Sequence, residues 1–593
     1  MFFLGLFLLL SCSCSSSSKI VIKPDDTYLL QTKLIEDLYP DKAAYKPNET
    51  VKFTLSLKNE TGENFDGTIA LRCWHLNDNI QTQNILVSLK KDESKTVAAS
   101  WQPPSNDYMG YMVEALAIKN GKIQDQRNTA VDVSSTWSRF PRYGYLCNYD
   151  SISKEDVQKT IDWLCKYHLN GLQFYDWQNS HDQPLAGTVK KPAAQWKDIA
   201  NRDTYRSTVK NYIEACHSRN MMACNYNLMF AAYDDYQKRE IQEQWGLYKD
   251  PDHDMQDIHE LPSTWASNLN LMNPGNVGWQ NYILSKEKEA FQVYGFDVFH
   301  VDTLGNRGIR YDYSGNQIDL AENYTAFLNA AKKQLGKDVV MNAVNGYGTK
   351  AAANADTDFL YTEVWPDFYP EYSNLKSAID SNTRFSGGKK SSVIAAYMNY
   401  KVSGQAFNEN AVKLTDAVIF ASGGSHLELG DTGMLSSEYF PNQKMYLSDK
   451  LKSNLRSYYD FLVAYENILH AQTKWSELNA SMGSYPVSDS GDAGSVWIFG
   501  SENKTYDTIQ MINLLSRSDE QWRDDTYSCE APKVVNGANL TLDYSSSKIS
   551  GVYLASPDIK GGSMFALDYT LKNGKLWIKI PSLKYWDMLI IKK

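Results

Sequence analysis

The sequence predicts a multidomain chain: a central (β/α)8 TIM barrel between an N-terminal immunoglobulin-like β-sandwich and a C-terminal β-sandwich. Three observations lead there. At 593 residues the chain is too long for a single ordinary core and should divide into about three or four domains. Runs that alternate apolar and polar residues dominate both ends, as half-buried antiparallel strands do. Between them, short apolar runs alternate with amphipathic helical stretches, the pattern of a parallel sheet covered by helices.

The elements follow in chain order. MFFLGLFLLL, residues 1–10, is too short to span a bilayer and fits the apolar part of an export signal. Leu9-Leu10-Ser11-Cys12 resembles the bacterial lipobox, which makes Cys12 the expected lipidation site and residues 1–24 a lipoprotein-type signal with a serine-rich tether. The expected location is therefore exported and lipid-anchored, at the cell surface or in the periplasm of a bacterium. Residues 25–137 contain VKFTLSLKN, GTIALRCWHL, ILVSLK, KTVAASWQPP and YMVEALAI, separated by turn residues as in an immunoglobulin-like sandwich. Residues 138–466 supply the barrel. Its expected strands are LQFYDW near 172, MACNYN near 222, SNLNLMN near 267, FDVFHVD near 296, VVMNAVN near 339, FLYTEVW near 359, SVIAAYM near 392 and AVIFASGGSHLELG near 417. Eight strand-and-helix units over this length are what such a barrel requires. Residues 467–593, with SVWIFGS, TIQMINLL, ISGVYLAS and KLWIKI, form the closing sandwich.

Composition excludes some functions. Lys+Arg 60 against Asp+Glu 70 gives a net charge of −10, so no basic field favours nucleic acid. Tyr 39 and Trp 15 provide ring faces with polar handles, which suit sugar surfaces. Cys73, Cys147, Cys165, Cys216, Cys224 and Cys529 show neither a disulfide framework nor a metal-binding spacing. Cys216 and Cys224 flank an expected turn, where either a disulfide or two buried thiols would fit. With nine His and no clustered ligand motif, neither a metal nor another cofactor is expected.

In a (β/α)8 barrel the polar residues at the C-terminal ends of strands face the catalytic mouth. Asp176, Asn225, Asp302, Asn345, Glu363 and Glu428 hold such positions in the expected strands. A carboxylate after an apolar run such as FDVFHV is costly to bury unless the site uses its charge. Asp302 and Glu363, on the fourth and sixth strands, make a pair suited to glycoside cleavage, with retention at about 5 Å separation and inversion beyond about 6.5 Å. Apolar neighbours of Glu363 (Tyr361, Val364, Trp365) favour its protonated form and the general acid/base role. Asp302, followed by Thr303 and LGNRG with Arg307, is the expected nucleophile.

These stretches carry a family resemblance. YHLNGLQFYDWQNSHDQPL (167–185), YGFDVFHVDTLGNRG (294–308), DFLYTEVWP (358–366) and SGGSHLELGD (422–431) resemble the signature blocks of glycoside hydrolase family 66, the endo-dextranases and cycloisomaltooligosaccharide glucanotransferases. The resemblance implies retaining chemistry on α-1,6-linked glucan, with Asp302 as nucleophile and Glu363 as acid/base. Members that form cyclic products carry a large carbohydrate-binding insertion between the seventh and eighth strands. Here SVIAAYMNYKVSGQAFNENAVKLTDAVIF leaves no room for one, which favours a dextranase releasing isomaltooligosaccharides. Transglycosylation on the same glucan is the alternative, and a non-catalytic glycan-binding lipoprotein is the alternative of another class, disfavoured by the intact carboxylate pair. Expected substrate contacts are Tyr175, Asp176 and Trp177 with His181 and Asp182, Asn225 and Tyr226, Asn345 and Tyr347, Trp365, and His426 with Glu428. The expected partners are dextran, isomaltooligosaccharides and, through the anchor, a membrane.

Overall fold

A computed structural model describes residues 33–470, 473–475, 478–545 and 548–593. The expected signal, tether and Cys12 lie outside the described residues.

The N-terminal part is two antiparallel sheets. Ile35–Pro40, Val51–Lys58 and Ser94–Trp101 form one, in that order. Asp78–Leu89, Phe65–His75, Met109–Lys119 and Lys122–Val133 form the other. Alternation sends Leu38, Phe53, Trp101, Tyr111 and Val131 into one shared core, as strand periodicity requires. The C-terminal part repeats this logic. A sheet built around Val496–Glu502, Tyr506–Asn513, Trp586–Lys592 and Gly551–Ala555 shares a core with one built around Val535–Asp543 and Lys575–Leu583.

Between them lies a row of eight parallel strands in sequence order: Tyr143–Leu146, Gly171–Phe174, Met222–Leu228, Val298–Asp302, Asp338–Val344, Leu360–Glu363, Ser392–Ala395 and Gly424–Leu427. The last strand runs on into Leu429–Gly430, and Gly430 pairs in parallel with Tyr145 of the first, so the two ends of the row meet. Helices cover the outside. Helix Lys154–Lys166 starts at Ser153, whose side chain accepts from the Asp156 N–H, and buries Val157, Ile161 and Leu164. Helix Val277–Tyr294 starts at Asn276 and ends on Gly295 at φ 81°. This left-handed C-cap suits glycine and turns the chain straight into the fourth strand.

Two strand assignments differ from expectation. SNLNLMN supplies no parallel strand; its Leu269–Leu271 pairs antiparallel with Ala231–Ala232 and Ile258–His259 in a separate small sheet. The count of eight is completed by Tyr143–Leu146, the first strand of the row, which precedes the expected first strand. AVIFA is helical, the end of helix Glu409–Ala421, and the final strand begins at Gly424.

A buried guanidinium joins the parts. Arg142 bonds Asp132 at 2.6 Å, Glu466 at 3.2 Å and the His168 carbonyl at 2.6 Å. It links the N-terminal sheets, the start of the parallel row and the helix at Glu466–Leu469. Cys216 and Cys224 are separate buried thiols.

Candidate active site

A cavity of about 440 Å³ opens where the parallel strands end, and both expected catalytic carboxylates line it. Strand pairing explains their approach. Met341 stands beside Val301, and Val344 beside Glu363, so Asn342 falls in line with Asp302 and one strand from Glu363. Its single amide nitrogen donates to Asp302 Oδ1 at 2.8 Å and to Glu363 Oε2 at 2.7 Å. Sharing that nitrogen confines the two oxygens to within 5.5 Å of each other. With one N–H of the amide aimed at each, the gap is roughly 5 Å.

The two carboxyls differ in their partners. Asp302 also accepts from the Tyr226 hydroxyl at 2.7 Å and from the Thr303 N–H at 2.8 Å. Burial pushes its pKa up and these three hydrogen bonds oppose the shift. Glu363 is pushed up to about 7, first by burial and then by the negative charge of Asp302, against hydrogen bonds from Asn342, Trp365 and Tyr397. The Trp365 indole N–H donates to Glu363 Oε1 at 2.9 Å. Each carboxyl accepts three hydrogen bonds, so the difference between them lies in the Asp302 charge, which adds to the rise at Glu363. Arg307 does not assist Asp302: it is paired with Asp257 at 2.6 and 3.0 Å.

Beneath the pair, His300 stacks between Tyr143 and Tyr226 with ring planes 24° and 21° away. Its Nδ1 lies 3.0 Å from the Tyr143 hydroxyl. Burial pulls its pKa down to about 3, so this floor is uncharged at neutral pH.

Five of the expected contact residues line the cavity or touch the pair. Tyr175 faces in and stacks on Phe440 at 4.2 Å. Asp176 turns into the cavity through a left-handed backbone, φ 49°, an uncommon conformation that persists where the surroundings hold it. His181 and Trp365 also line it, and Tyr226 holds Asp302. The others serve elsewhere. Trp177 is fully buried, packs against Trp196, Tyr294 and Phe296, and donates to Asn225; it is a core ring and no sugar platform. Asn225 spends its amide on Glu287 at 2.6 Å. Asp182 is buried against Arg239 at 2.7 and 2.8 Å. Asn345 accepts from the Trp365 N–H and so positions that loop, while Tyr347 packs edge-on to Tyr324. His426 and Glu428 are sealed outside the cavity, where His426 bonds Asp416 at 2.8 Å and Tyr459 donates to Glu428 at 2.9 Å.

Asp416, His426 and Glu428 form the one trio among the described residues whose potential ligand atoms all lie within 4.8 Å of one another. None of the three lines the cavity that holds the carboxylate pair.

Several cavity residues carry no signal in the sequence pattern. Asn342 stands out only as the polar residue inside VVMNAV. The wall comes from two long connections: Leu261 and Trp265 from the antiparallel excursion, and Glu438, Tyr439 and Phe440 from beyond the last strand. The rings of Trp265 and Tyr439 meet at 5.2 Å, so the two connections touch beside the cavity.

Comparison with known proteins identifies the family. The Glycosyl hydrolase family 66 model matches residues 40–590. A cycloisomaltooligosaccharide glucanotransferase of Niallia circulans is 29% identical, covering 100% of this chain and 75% of that protein. A dextranase of Streptococcus salivarius is 26% identical over 89% of this chain and 73% of its own length. The crystal structure of a Paenibacillus sp. cycloisomaltooligosaccharide glucanotransferase complexed with cycloisomaltoheptaose superposes with a TM-score of 0.88 at 27% identity, covering 94% of this chain and 99% of that one. With a match running nearly from end to end, the chain belongs to glycosyl hydrolase family 66.

Proposed function

We propose that the protein is a retaining endo-dextranase that cuts α-1,6-glucosidic linkages and releases isomaltooligosaccharides. In this reading residues 138–466 are a closed (β/α)8 barrel, flanked by an immunoglobulin-like sandwich at 25–137 and a second sandwich at 467–593. The observation that carries it is the Asn342 nitrogen bonded to both carboxylates. A gap of about 5 Å suits direct attack by one carboxylate, whereas inversion needs room for water, about 6.5–9.5 Å.

Glu363 gives its proton to the glycosidic oxygen as the C1–O bond breaks, and an Asp302 oxygen forms a bond to C1, giving a β-glucosyl ester. The leaving chain departs as an alcohol. Glu363, now ionised, takes a proton from water; the water oxygen bonds to C1, Asp302 leaves, and the product keeps the α configuration. Tyr226, Thr303 N–H and Asn342 hold the Asp302 anion before attack and after release. Tyr175, Asp176, His181 and Trp365 offer the cavity surface for the sugar.

Hydrolysis is favoured because residues 396–408 alone separate strand Ser392–Ala395 from helix Glu409–Ala421, with no inserted domain to capture a chain end. A second reading, transfer to a sugar hydroxyl, is favoured by the relatives whose names carry glucanotransferase activity. Incubation with dextran, pullulan and starch, with chromatography of linear and cyclic products, tests both. Linear isomaltooligosaccharides from dextran alone are expected. Predominantly cyclic products would replace the first reading with the second, and cleavage of starch or pullulan alone would overturn the linkage assignment. Export with a lipid on Cys12 is also proposed, from the apolar run and LLSC at residues 9–12.

A further inference from the structure

His181 presents its imidazole to the cavity, with Nε2 4.0 Å from Asp176 Oδ1. Its other nitrogen, Nδ1, lies 2.7 Å from Asn227 Oδ1. The orientation of the Asn227 amide is fixed by three contacts. Its nitrogen donates to the His181 carbonyl at 2.8 Å and to Glu287 Oε1 at 2.5 Å, while its oxygen accepts the Leu228 N–H at 2.8 Å. Exchanging the amide ends would set a nitrogen against a backbone N–H and an oxygen against two acceptors. An oxygen therefore faces Nδ1, and Nδ1 must carry the proton, because a neutral ring has one donor and one acceptor. The Gln178 amide, 2.9 Å from Nδ1, suits this tautomer with its ends exchanged. All these groups are buried, and Asn227 and Glu287 are completely so.

We propose that Asn227, held in place by Glu287, fixes His181 as the Nδ1–H tautomer, so that a bare Nε2 faces the cavity beside Asp176 as a hydrogen-bond acceptor for a glucosyl hydroxyl. Asn227 and Glu287 are positioning residues; neither lines the cavity. Burial pulls the His181 pKa down to about 4, so the ring stays neutral through the weakly acidic range. The site reads a donor by refusing to donate: a sugar hydroxyl is accepted, and a group that can only accept leaves Nε2 unpaired. The recognition half of this inference rests on the proposed glucan-cleaving function, whereas the tautomer does not.

Neutron diffraction from a perdeuterated crystal of the free protein near pH 7 tests the tautomer. Deuterium on Nδ1 and none on Nε2 is expected; deuterium on Nε2, alone or with Nδ1, overturns the inference whether or not dextran is a substrate. Glu287→Gln keeps an oxygen for the Asn227 amide and should keep the proton on Nδ1. Asn227→Ala combined with Gln178→Ala removes both acceptors facing Nδ1 and should move the proton to Nε2, with KM for dextran rising about tenfold, the scale of one lost hydrogen bond, and kcat changing less. An unchanged KM in a folded double variant whose proton has moved would overturn the recognition role. If that variant does not fold, the wild-type neutron map decides the tautomer, and the KM of His181→Phe, expected to rise at least as much, decides the recognition role.

Discussion

Replacing Asn342 with alanine removes one nitrogen and two hydrogen bonds, of 2.8 Å to Asp302 and 2.7 Å to Glu363. Hydrogen bonds to charged groups contribute about 1.5–3 kcal/mol each, but only what is stronger in the transition state accelerates the reaction. Asp302 loses negative charge as it bonds to carbon, so its bond from Asn342 weakens on the way to the transition state. Glu363 gains negative charge as it releases its proton, so its bond strengthens. The second bond is therefore the one whose loss slows catalysis, by about 10- to 100-fold in kcat/KM. The same loss shifts acidity. Asn342 opposes the rise of Glu363 toward about 7, so without it the pKa climbs further and the basic limb of the pH–rate profile moves to higher pH. Initial rates on dextran from pH 4 to 9 measure both effects. On α-glucosyl fluoride, whose leaving group needs little protonation, the deficit should shrink. A full rate with an unmoved basic limb would refute the role of Asn342 as the shared donor, and an equal deficit on both substrates would refute its action through Glu363.

Other consequences are open to direct measurement. Asp302→Asn should abolish dextran cleavage with folding intact, and should lower the Glu363 pKa, since the Asp302 charge is the second largest cause of its rise; titration of the Glu363 carboxyl by infrared difference spectroscopy reads the shift. Glu363→Gln should lose far more activity on dextran than on α-glucosyl fluoride, and equal losses in a rate comparison would argue against its acid role. In the wild type, kcat/KM should fall as pH rises through about 7, because Glu363 must be protonated to donate; a rate flat to pH 9 would contradict this. Trp177→Ala should cost about 3–5 kcal/mol of stability, the scale of a large buried ring, read by denaturant unfolding, with KM for dextran little changed in the folded protein.

The sequence disclosed most where a residue's chemistry conflicted with its surroundings. Asp302 after FDVFHV and Glu363 within YTEVW are acids in apolar runs, and both stand in the cavity lining. Strand order was legible from the alternation of apolar runs with helices, although one member was misplaced. Within SNLNLMN the stretch NLNL alternates, which is the mark of an antiparallel strand; Leu269–Leu271 does pair antiparallel, although it is buried on both faces. YGYL does not read as a buried strand, because it is short and its two tyrosines carry hydroxyls; in the fold Tyr143 and Tyr145 are buried, and His300 and Thr432 partner those hydroxyls. Binding residues were harder to foresee. Trp177 and Asp182 have the composition of a sugar site, but orientation decides between cavity and core, and a turn at Asp176 with φ 49° sends one neighbour each way. The wall of Trp265, Glu438 and Tyr439 depends on contacts between distant connections, which local pattern does not encode.

The central claim, that Asp302 and Glu363 cleave α-1,6-glucan by double displacement, is tested most directly by the configuration of the first product. Proton NMR of the anomeric region during the first minutes of dextran digestion, before mutarotation, should show new reducing ends appearing in the α form and relaxing toward the equilibrium mixture. Reducing ends appearing first in the β form would mean a single inverting displacement and would contradict the account.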